Sequence, residues 1–581
     1  MGSLTDAIFS GTRGLKKNVT ELATALEFIE APWGLNTELY PVQKVIIKAF
    51  YGLPLDTVRK FDVKDWRGNL IRSFTEEEYL QYLYDEKRCN VRVSDPSRQF
   101  REMVLSVGRR SGKCVTGDTL VLTDWGIYPI RDLGDPNGPE IQSLDVGVVQ
   151  EAGRVSRSAY FYNGGVQPTF SYETRSGYRL EGTGNHRVRV MTPEGTVDWK
   201  RLDEIRPGDY LAVNRSSSFW PEDYLDVRPY HNARGRKDLT LPEKLTEDLG
   251  LLLGYLVGDG TWGTRLSVEM TVAHDETKAE LETLFEKLFG SKGKFLYDSR
   301  TASCGNFSFN SVRYREFLHE LGYRYDFDRY SKRVPWTIFR SPRSVQAAFL
   351  SSLFETDGCA ESGGKRVTFS TASERLAREV QVLLTNFGVP ASVRSRRVKG
   401  YDRLYWDLSI RGTRSRKTFA DTIGFRTSKK TSILLGSFRE GGREGSNAES
   451  VPAQKPWVRR LIASVPSNLN RAGRVRSKLQ EVFGNCYKPN LREELTYIRM
   501  REALSLAREL GATDSEALEH FEELLRTDYF YDPVVRVGTG EAPVYDLNVP
   551  DGESFVANGV TNHNTTISAC ISAYETYKLI N

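Results

Sequence analysis

The chain has 581 residues, 39% of them hydrophobic, and 81 Lys and Arg stand against 76 Asp and Glu for a net charge of +5. Such a length and composition describe a globular chain of three or four domains, and the near balance of charge excludes a polycation, so nucleic-acid affinity has to come from local basic clusters such as Arg394 to Lys430. No run of about 18 apolar residues occurs and the N-terminus lacks the apolar core of a signal segment, so no membrane association is expected and a cytoplasmic location is.

In chain order, the first feature is "LYPVQKVIIKAFYG" (39–52), which places Gln43 on or just before a helix, some way ahead of "GRRSGKCVTGDTL" (108–120). That second stretch starts as a phosphate-binding loop, with Arg109, Arg110, Gly112 and Lys113, and then stops being one. A phosphate loop needs Gly-Lys followed by Ser or Thr, whose hydroxyl binds Mg²⁺. Here Lys113 is followed by Cys114, and the missing hydroxyl stands at the other end of the chain, at Thr565 in "TTISACISAYETYKL". Joining Lys113 to Thr565 writes "VLSVGRRSGKTTISACISAYETY", an apolar strand, a glycine loop and a helix. The piece between is Cys114–Asn564, 451 residues, leaving 130.

Both ends of that piece carry groups that can rearrange peptide bonds. The Cys114 thiol can attack the Lys113 carbonyl and turn the amide into a thioester. Asn564 can cyclise through its side-chain amide, and the Thr565 hydroxyl can take over the acyl group, so that only proximity and proton placement are required. The six cysteines are scattered, without C-x-x-C pairs or zinc-ligand spacing, and are expected as reduced thiols.

With these ends, "CVTGDTLVLT", "LEGTGNHRVRV", "EIRPGDYLAV" and "VYDLNVPDGESFVANGVTNHN" resemble the blocks of an intein, a self-splicing insert of the Hint type. The resemblance implies an all-β, horseshoe-shaped splicing domain. It implies that Thr183 and His186 polarise the first scissile bond, and that Asp546, His563 and Asn564 serve the second, without a cofactor. One departure is visible. Where many relatives have His before Asn-Phe, this chain has Glu553-Ser554-Phe555, which shifts weight onto Asp546.

Inside the insert, "LLGYLVGDG" (252–260) and "LSSLFETDG" (350–358) set Asp259 and Asp357 98 residues apart, and Phe289-Gly290 and Phe387-Gly388 repeat the same period. Gly254 and Gly258 share one helical face, matched by Ser352 and Thr356, so the two helices are expected to pack closely and bring both Asp residues together. Gly260 and Gly358 are expected to end the helices. Paired carboxylates suit Mg²⁺ ions that bind phosphodiester oxygens. The motifs resemble the LAGLIDADG homing endonucleases in their single-chain form of two pseudo-symmetric α/β halves, which implies cleavage of a long, asymmetric site in double-stranded DNA. Arg394, Arg396, Arg403 and Arg411 are expected on hairpin strands facing the major groove. Lys332, with Lys429 or Lys430 at the similar point of the second half, is expected beside the metal site.

The expected organisation is a host segment 1–113, the first part of the splicing domain 114–235, the endonuclease 236–432, a linker and accessory helical region 433–527, the second part of the splicing domain 528–564 and a host segment 565–581. The helical region either extends DNA contact or is only a spacer. Gln43 and the rejoined loop resemble the start of the large subunit of phage terminases, ATP-driven DNA-packaging motors. That implies ATP and Mg²⁺ at Gln43, Arg109, Arg110, Gly112, Lys113 and Thr565 after splicing only, in a phage-infected bacterial cell. Because 17 residues follow the insert, a fragment or a broken host gene is expected rather than a whole motor. Two other readings stay open, a decayed insert that binds DNA without splicing or cutting, and an ATPase carrying a regulatory insertion.

Overall fold

In the computed structural model of the chain, the residues described are 23–34, 39, 41–64, 70–86 and 113–563 except 216–218, 232–238, 263–266, 273, 298–304, 325, 362–365, 399, 401, 439–449, 467–471, 489, 490, 492 and 550–553. Arg109, Arg110, Gly112, Asn564 and Thr565 therefore lie outside the described residues. The chain divides into two units, one of which holds the N-terminal segment and the other Lys113–Leu547 with Ser554–His563.

In the N-terminal segment, α1 (Ala25–Glu30), α2 (Pro41–Tyr51), β1 (Phe61–Lys64), β2 (Leu70–Phe74) and α3 (Glu76–Asp85) follow one another. Capping boxes start α1 and α3: Thr24 and Glu27, and Thr75 and Glu78, satisfy the first free N–H groups reciprocally. Val45 of α2 packs with Phe74, Tyr79 and Leu80, while Ile47 and Tyr51 pack with Phe28 and Ile29. Gln43 lies in the first turn of α2.

The second unit begins with a large antiparallel sheet of 12 strands. Its strands are β3 (Val115–Thr116), β4 (Leu120–Thr123), β5 (Gly126–Pro129), β6 (Ile141–Val149), β7 (Val155–Thr174), β8 (Arg179–Gly182), β9 (Arg187–Met191), β10 (Val197–Arg201) and β11 (Tyr210–Val213). Much later in the chain, β22 (Phe530–Leu547), β23 (Ser554–Ala557) and β24 (Val560–His563) complete it. The two longest strands, β7 and β22, pair from Phe161↔Leu547 to Thr174↔Val534. Strand β24 pairs with β23, β9 and β11, so the two sequence-distant ends of the unit share one sheet. At the point where the chain leaves this sheet and returns to it, Val213 of β11 pairs directly with Phe530 of β22.

Between those two residues lie two similar α/β halves. The first is α4 (Glu247–Asp259), β12 (Gly260–Trp262), β13 (Ser267–Val272), α5 (Asp275–Phe289), β14 (Lys294–Tyr297), β15 (Gly305–Asn310) and α6 (Val312–Glu320). A short helix, α7 (Trp336–Phe339), leads to the second, formed by α8 (Arg343–Asp357), β16 (Gly358–Ala360), β17 (Val367–Thr371), α9 (Glu374–Asn386), β18 (Ala391–Arg397), β19 (Leu404–Ile410) and α10 (Thr413–Thr422), with α11 (Ser428–Leu435) after it. The sheet orders β12-β13-β15-β14 and β16-β17-β19-β18 correspond strand for strand.

Helices α4 and α8 pack small face to small face. A Cβ built on Gly254 would stand 2.0 Å from Ser352 Oγ and 2.3 Å from the Phe349 carbonyl oxygen, and one on Gly258 1.9 Å from Thr356 Oγ1. Gly254→Ala therefore forces the helices apart, at a cost of about 1–3 kcal/mol. A lower denaturation midpoint of the Cys114→Ala, Asn564→Ala chain is the expected readout, and an unchanged midpoint would show that the pair has room to relax. The two glycines end the helices as expected, but not through the left-handed conformation. Gly260 and Gly358 have φ of −75° and −105°, open to any residue, so they are not left-handed helix ends. Space requires them, since a Cβ would meet the Leu256 carbonyl oxygen at 2.2 Å and that of Phe354 at 2.4 Å as the chain turns into a strand.

Phe219, Trp220, Leu225 and Val227 before 235, and Leu434 and Phe438 beyond 432, pack into one apolar core that joins the α/β halves to Leu120, Leu122, Ile127 and Val556 of the large sheet. The following helices, α12 (Lys455–Ser464), α13 (Ala472–Phe483), α14 (Tyr497–Glu509) and α15 (Ser515–Thr527), come with a small β20 (Ser450–Val451) and β21 (Leu495–Thr496) ladder. They pack onto the large sheet. Their core includes Met191, Ala212, Tyr529 and Tyr531 of the large sheet and its approach, and Gln454 and Trp457 donate to the carbonyls of Gly195 and Glu194 at 2.8 and 3.0 Å. Among the described residues, no helix is long and apolar enough to cross a membrane.

Candidate active sites

The first site forms where β3, β8, β9 and β24 bring together residues far apart in sequence. Cys114 is buried. Its N–H donates to Thr183 Oγ1 at 3.0 Å and its carbonyl accepts from the Thr183 N–H at 2.9 Å, while Val115 pairs with Gly182, so the backbone at Cys114 is fixed like a ladder rung. His186, fully buried, shares a hydrogen bond of 2.8 Å between Nε2 and Asn562 Oδ1. Burial pushes the His186 ring down to about 4, against the opposing pull of the Asn562 amide and the Lys113 backbone, so the ring is neutral at pH 7. Lys113 Nζ lies 3.2 Å from Nδ1 of His563.

Burial also raises the Cys114 thiol well above its ordinary range, with the nearby Asp546 carboxylate as second cause. Asp546 itself is pushed up to about 8, mainly by burial, while the Leu547 N–H and the Lys113 charge oppose. A carboxyl group poised near neutrality beside a thiol can give or take a proton. The sulfur is tightly enclosed, since a Cβ on Gly164 would come within 3.3 Å of it. Across β7 and β22, Tyr162 stands opposite Asp546 and donates to Glu140 Oε1 at 3.0 Å. Ser554 is buried on β23 opposite His563, while Glu553 lies outside the described residues.

Four members of this site escaped the sequence reading. Trp199 packs edge-on against His563, with ring centroids 4.7 Å apart, and Arg189 covers the Trp199 ring at 4.0 Å. Tyr162 and Asn562 are the others. Only the Asn562-His563-Asn564 run carried a hint of the last, and nothing local marks the rest.

The second site is at the paired ends of α4 and α8. Asp259 reaches solvent and Asp357 is half-buried. Surrounding protein raises both carboxyls, Asp357 to about 6 with the Asp259 charge as second cause, while Lys332 and Lys430 oppose. Lys332 is itself lowered by burial against the pull of both Asp residues, and its Nζ donates to the Gly258 carbonyl at 2.5 Å. On the other half, Lys430 donates to the Gly358 carbonyl at 2.9 Å, whereas Lys429 is exposed. Two mutually repelling carboxylates at an open position fit an oxygen-seeking dication. Among the described residues no group of three or more His, Cys, Asp and Glu gathers, so Asp259 and Asp357 would leave the remaining coordination to water and ligand oxygens.

Arg394 and Arg396 are exposed on β18, on the sheet face turned from the core, and Arg396 pairs with Asp407 at 2.5 Å. Arg403 and Arg411 do not sit on strands as expected. The β18–β19 ladder runs only from Ala391↔Ile410 to Arg397↔Leu404, leaving Arg403 before it, 4.2 Å over the Tyr330 ring, and Arg411 after it. Arg411 is lowered by burial and by the Arg366 and Arg394 charges, which adds Arg366 to this basic cluster. The counterpart face of the first half bears Thr271, Asn306, Ser308 and Lys294 and is less basic.

Residues 344–424 match a LAGLIDADG-like domain. The chain is 29% identical over 486 residues, 79% of its length and 46% of the relative's, to a replicative DNA helicase DnaB of Rhodothermus marinus. It is 26% identical over 487 residues, 78% of its length and 76% of the relative's, to a DNA gyrase chain of Mycolicibacterium flavescens. The chain spans about half the length of the DnaB relatives it matches. Among solved structures it is similar to the homing endonuclease I-DmoI with DNA and Ca, at 16% identity and a TM-score of 0.25 over 33% of this chain and 98% of that one. It is also similar to a DnaB intein from Synechocystis sp., at 22% identity and a TM-score of 0.15 over 18% of this chain and 70% of that one.

Proposed function

We propose that the chain is an intein that excises residues 114–564, joins Lys113 to Thr565 and carries a LAGLIDADG-type double-strand DNA endonuclease. One observation carries the splicing reading: Lys113 and His563, 450 residues apart, meet at one site with Cys114, Thr183, His186 and Asp546 around them. A part-buried meeting of two sequence-distant segments is expected of a ligation reaction and serves no evident purpose in a folded insertion that stays in place.

In the first step the Cys114 thiol adds to the Lys113 carbonyl carbon, the Lys113–Cys114 C–N bond breaks, and the thiol proton ends on the freed Cys114 amine. Thr183 holds the Cys114 backbone, and Asp546 exchanges the proton. The Thr565 hydroxyl then attacks the thioester carbon, and the Cys114 sulfur leaves with the hydroxyl proton. Asn564 Nδ2 next attacks its own carbonyl carbon, which breaks the Asn564–Thr565 bond and moves an Nδ2 hydrogen onto the Thr565 nitrogen. That amine finally displaces the ester oxygen, giving a Lys113–Thr565 peptide.

The endonuclease reading rests on the matched LAGLIDADG-like segment together with the paired Asp259 and Asp357. When bound there, Mg²⁺ would supply charge stabilisation at a phosphodiester and a more acidic water. Asp259 and Asp357 would hold it, Lys332 and Lys430 fix the helix ends, and the β18 arginines with Arg366 meet DNA phosphates. The share of this chain that matches the DnaB and gyrase relatives is close to the fraction between Cys114 and Asn564. Two differently named hosts sharing that span is what a transferable insert predicts. The terminase-like host, with Gln43 and Lys113–Thr565 around ATP after splicing, rests on its sequence motifs alone, and the DnaB and gyrase relatives point to a different host.

Intact mass spectrometry of the freshly expressed chain, beside a Cys114→Ala, Asn564→Ala control, tests the splicing reading. A 451-residue species and a 130-residue product with a Lys113–Thr565 bond are expected. One unprocessed 581-residue species in both samples would overturn it.

A further inference from the structure

The ring of His563 is held on two sides. Lys113 Nζ stands 3.2 Å from its Nδ1, and the Trp199 ring packs against it at 4.7 Å. Trp199 cannot swing away easily, because Arg189, its direct partner across β9 and β10, lies 4.0 Å over its ring and is itself tied to Glu151 at 3.4 Å. An ammonium has only donors, so Nδ1 of His563 must be the acceptor, and the ring carries its proton on Nε2. While this contact stands, the Nδ1 lone pair is occupied and cannot take up a proton. The same Lys113 charge also acts on Asp546 and His186, so a residue outside the insert sits within the site.

We infer that Lys113 is a positioning residue that keeps His563 from serving cleavage at Asn564 until the first junction has opened. The inference rests on the splicing reading. The Lys113 carbonyl is the acyl group that moves to Cys114 Sγ and then to Thr565 Oγ, so its side chain moves with it and the His563 contact is released. Cyclisation of Asn564 forms the Nδ2–C bond, breaks the Asn564–Thr565 C–N bond and carries one hydrogen from Nδ2 to the Thr565 nitrogen. A His563 with its Nδ1 freed can relay that hydrogen. Cyclisation before acyl transfer would sever the host with nothing left to rejoin it, and the Lys113 contact makes that order unfavourable.

The test uses the full chain with Cys114→Ala, in which acyl transfer is blocked and Lys113 stays in place. Release of the 17-residue C-terminal piece is followed by mass spectrometry. Adding Lys113→Met is expected to accelerate release about tenfold or more, the weight of one charge-assisted hydrogen bond. Lys113→Arg, which keeps a donor and a charge, is expected to stay slow. An acceleration cannot come from damage to the fold, and Asn564→Ala must abolish it. Equal release with Lys113, Met and Arg, or no release from any of the three, overturns the inference. The splicing reading stands or falls separately, on whether the chain with Cys114 yields the ligated product.

Discussion

A chain carrying Asp357→Asn is expected to bind its DNA but to lose cleavage by roughly 10³-fold or more, the scale on which a charge-stabilising group at a reacting phosphate acts. Asparagine keeps the shape of the side chain and removes the charge that would hold a cation. Plasmid cleavage beside a mobility-shift assay reads both properties, and cutting at the parental rate would remove Asp357 from the site. The substitution also carries a stability signature. Asp357 is held at about 6 by burial and by Asp259, above its ordinary value, so the folded state binds more protons than the unfolded chain between about pH 4 and 6. Stability from this group is present at low pH and lost as pH rises through that window, by at most about 1.4 kcal/mol per unit. Asp357→Asn should therefore be the more stable protein at pH 7 while being the inactive one, and thermal scans at pH 4.5 and 7 would show the gap to the parent opening with pH.

The second large effect is expected at Asp546. Replacing it by Asn should slow thioester formation by about 10²-fold or more, the usual weight of a positioned proton donor and acceptor. Thiol-induced cleavage after Lys113 in an Asn564→Ala chain isolates that step. In the parent, cleavage should quicken as pH rises to about 8, where Asp546 loses its proton and can accept that of the buried Cys114 thiol. The variant should lack that rise. The linkage has the same sign as for Asp357, since a raised carboxyl favours the fold at low pH and ceases to as pH passes from about 4 towards 8. Asp546→Asn should flatten that slope. A variant with the parental rate and pH profile would assign the proton transfer elsewhere.

The parts of this fold legible in the sequence were those with local spacing. Gly254 and Gly258 lie one helical turn apart, Ser352 and Thr356 repeat them, and the resulting close packing needs no knowledge of anything distant. Cys114 and His563 stood out because the sequence reads as a phosphate loop that stops after Lys113 and resumes at Thr565, whereas Asn564 lies outside the described residues. Trp199, Arg189 and Tyr162 were not, because their roles depend on strands that meet across hundreds of residues, as where Tyr162 finds Asp546. The strand arginines show a smaller version of the same limit. Arg403 and Arg411 have strand-like neighbours, yet cross-strand register decides where a ladder stops. The amphipathic helices from Lys455 to Thr527 were expected, but their docking on Met191 and Ala212 depends on an apolar patch that no local pattern links to them.

The direct pairing of Val213 with Phe530 bears on how such a chain could have been assembled. Everything from residue 214 to 529 leaves and rejoins the large sheet at neighbouring points, so it resembles a detour attached at one hairpin position. Closing that gap with a tight two-residue turn costs little chain entropy and leaves both strands in register. The surface such a deletion would uncover is the apolar floor around Met191, Ala212 and Tyr531 on one side and Leu122, Ile127 and Val556 on the other. In hereditary terms, the α/β and helical modules could be gained or lost in one genetic event, and the lasting trace would be a handful of surface positions obliged to trade apolar for polar side chains.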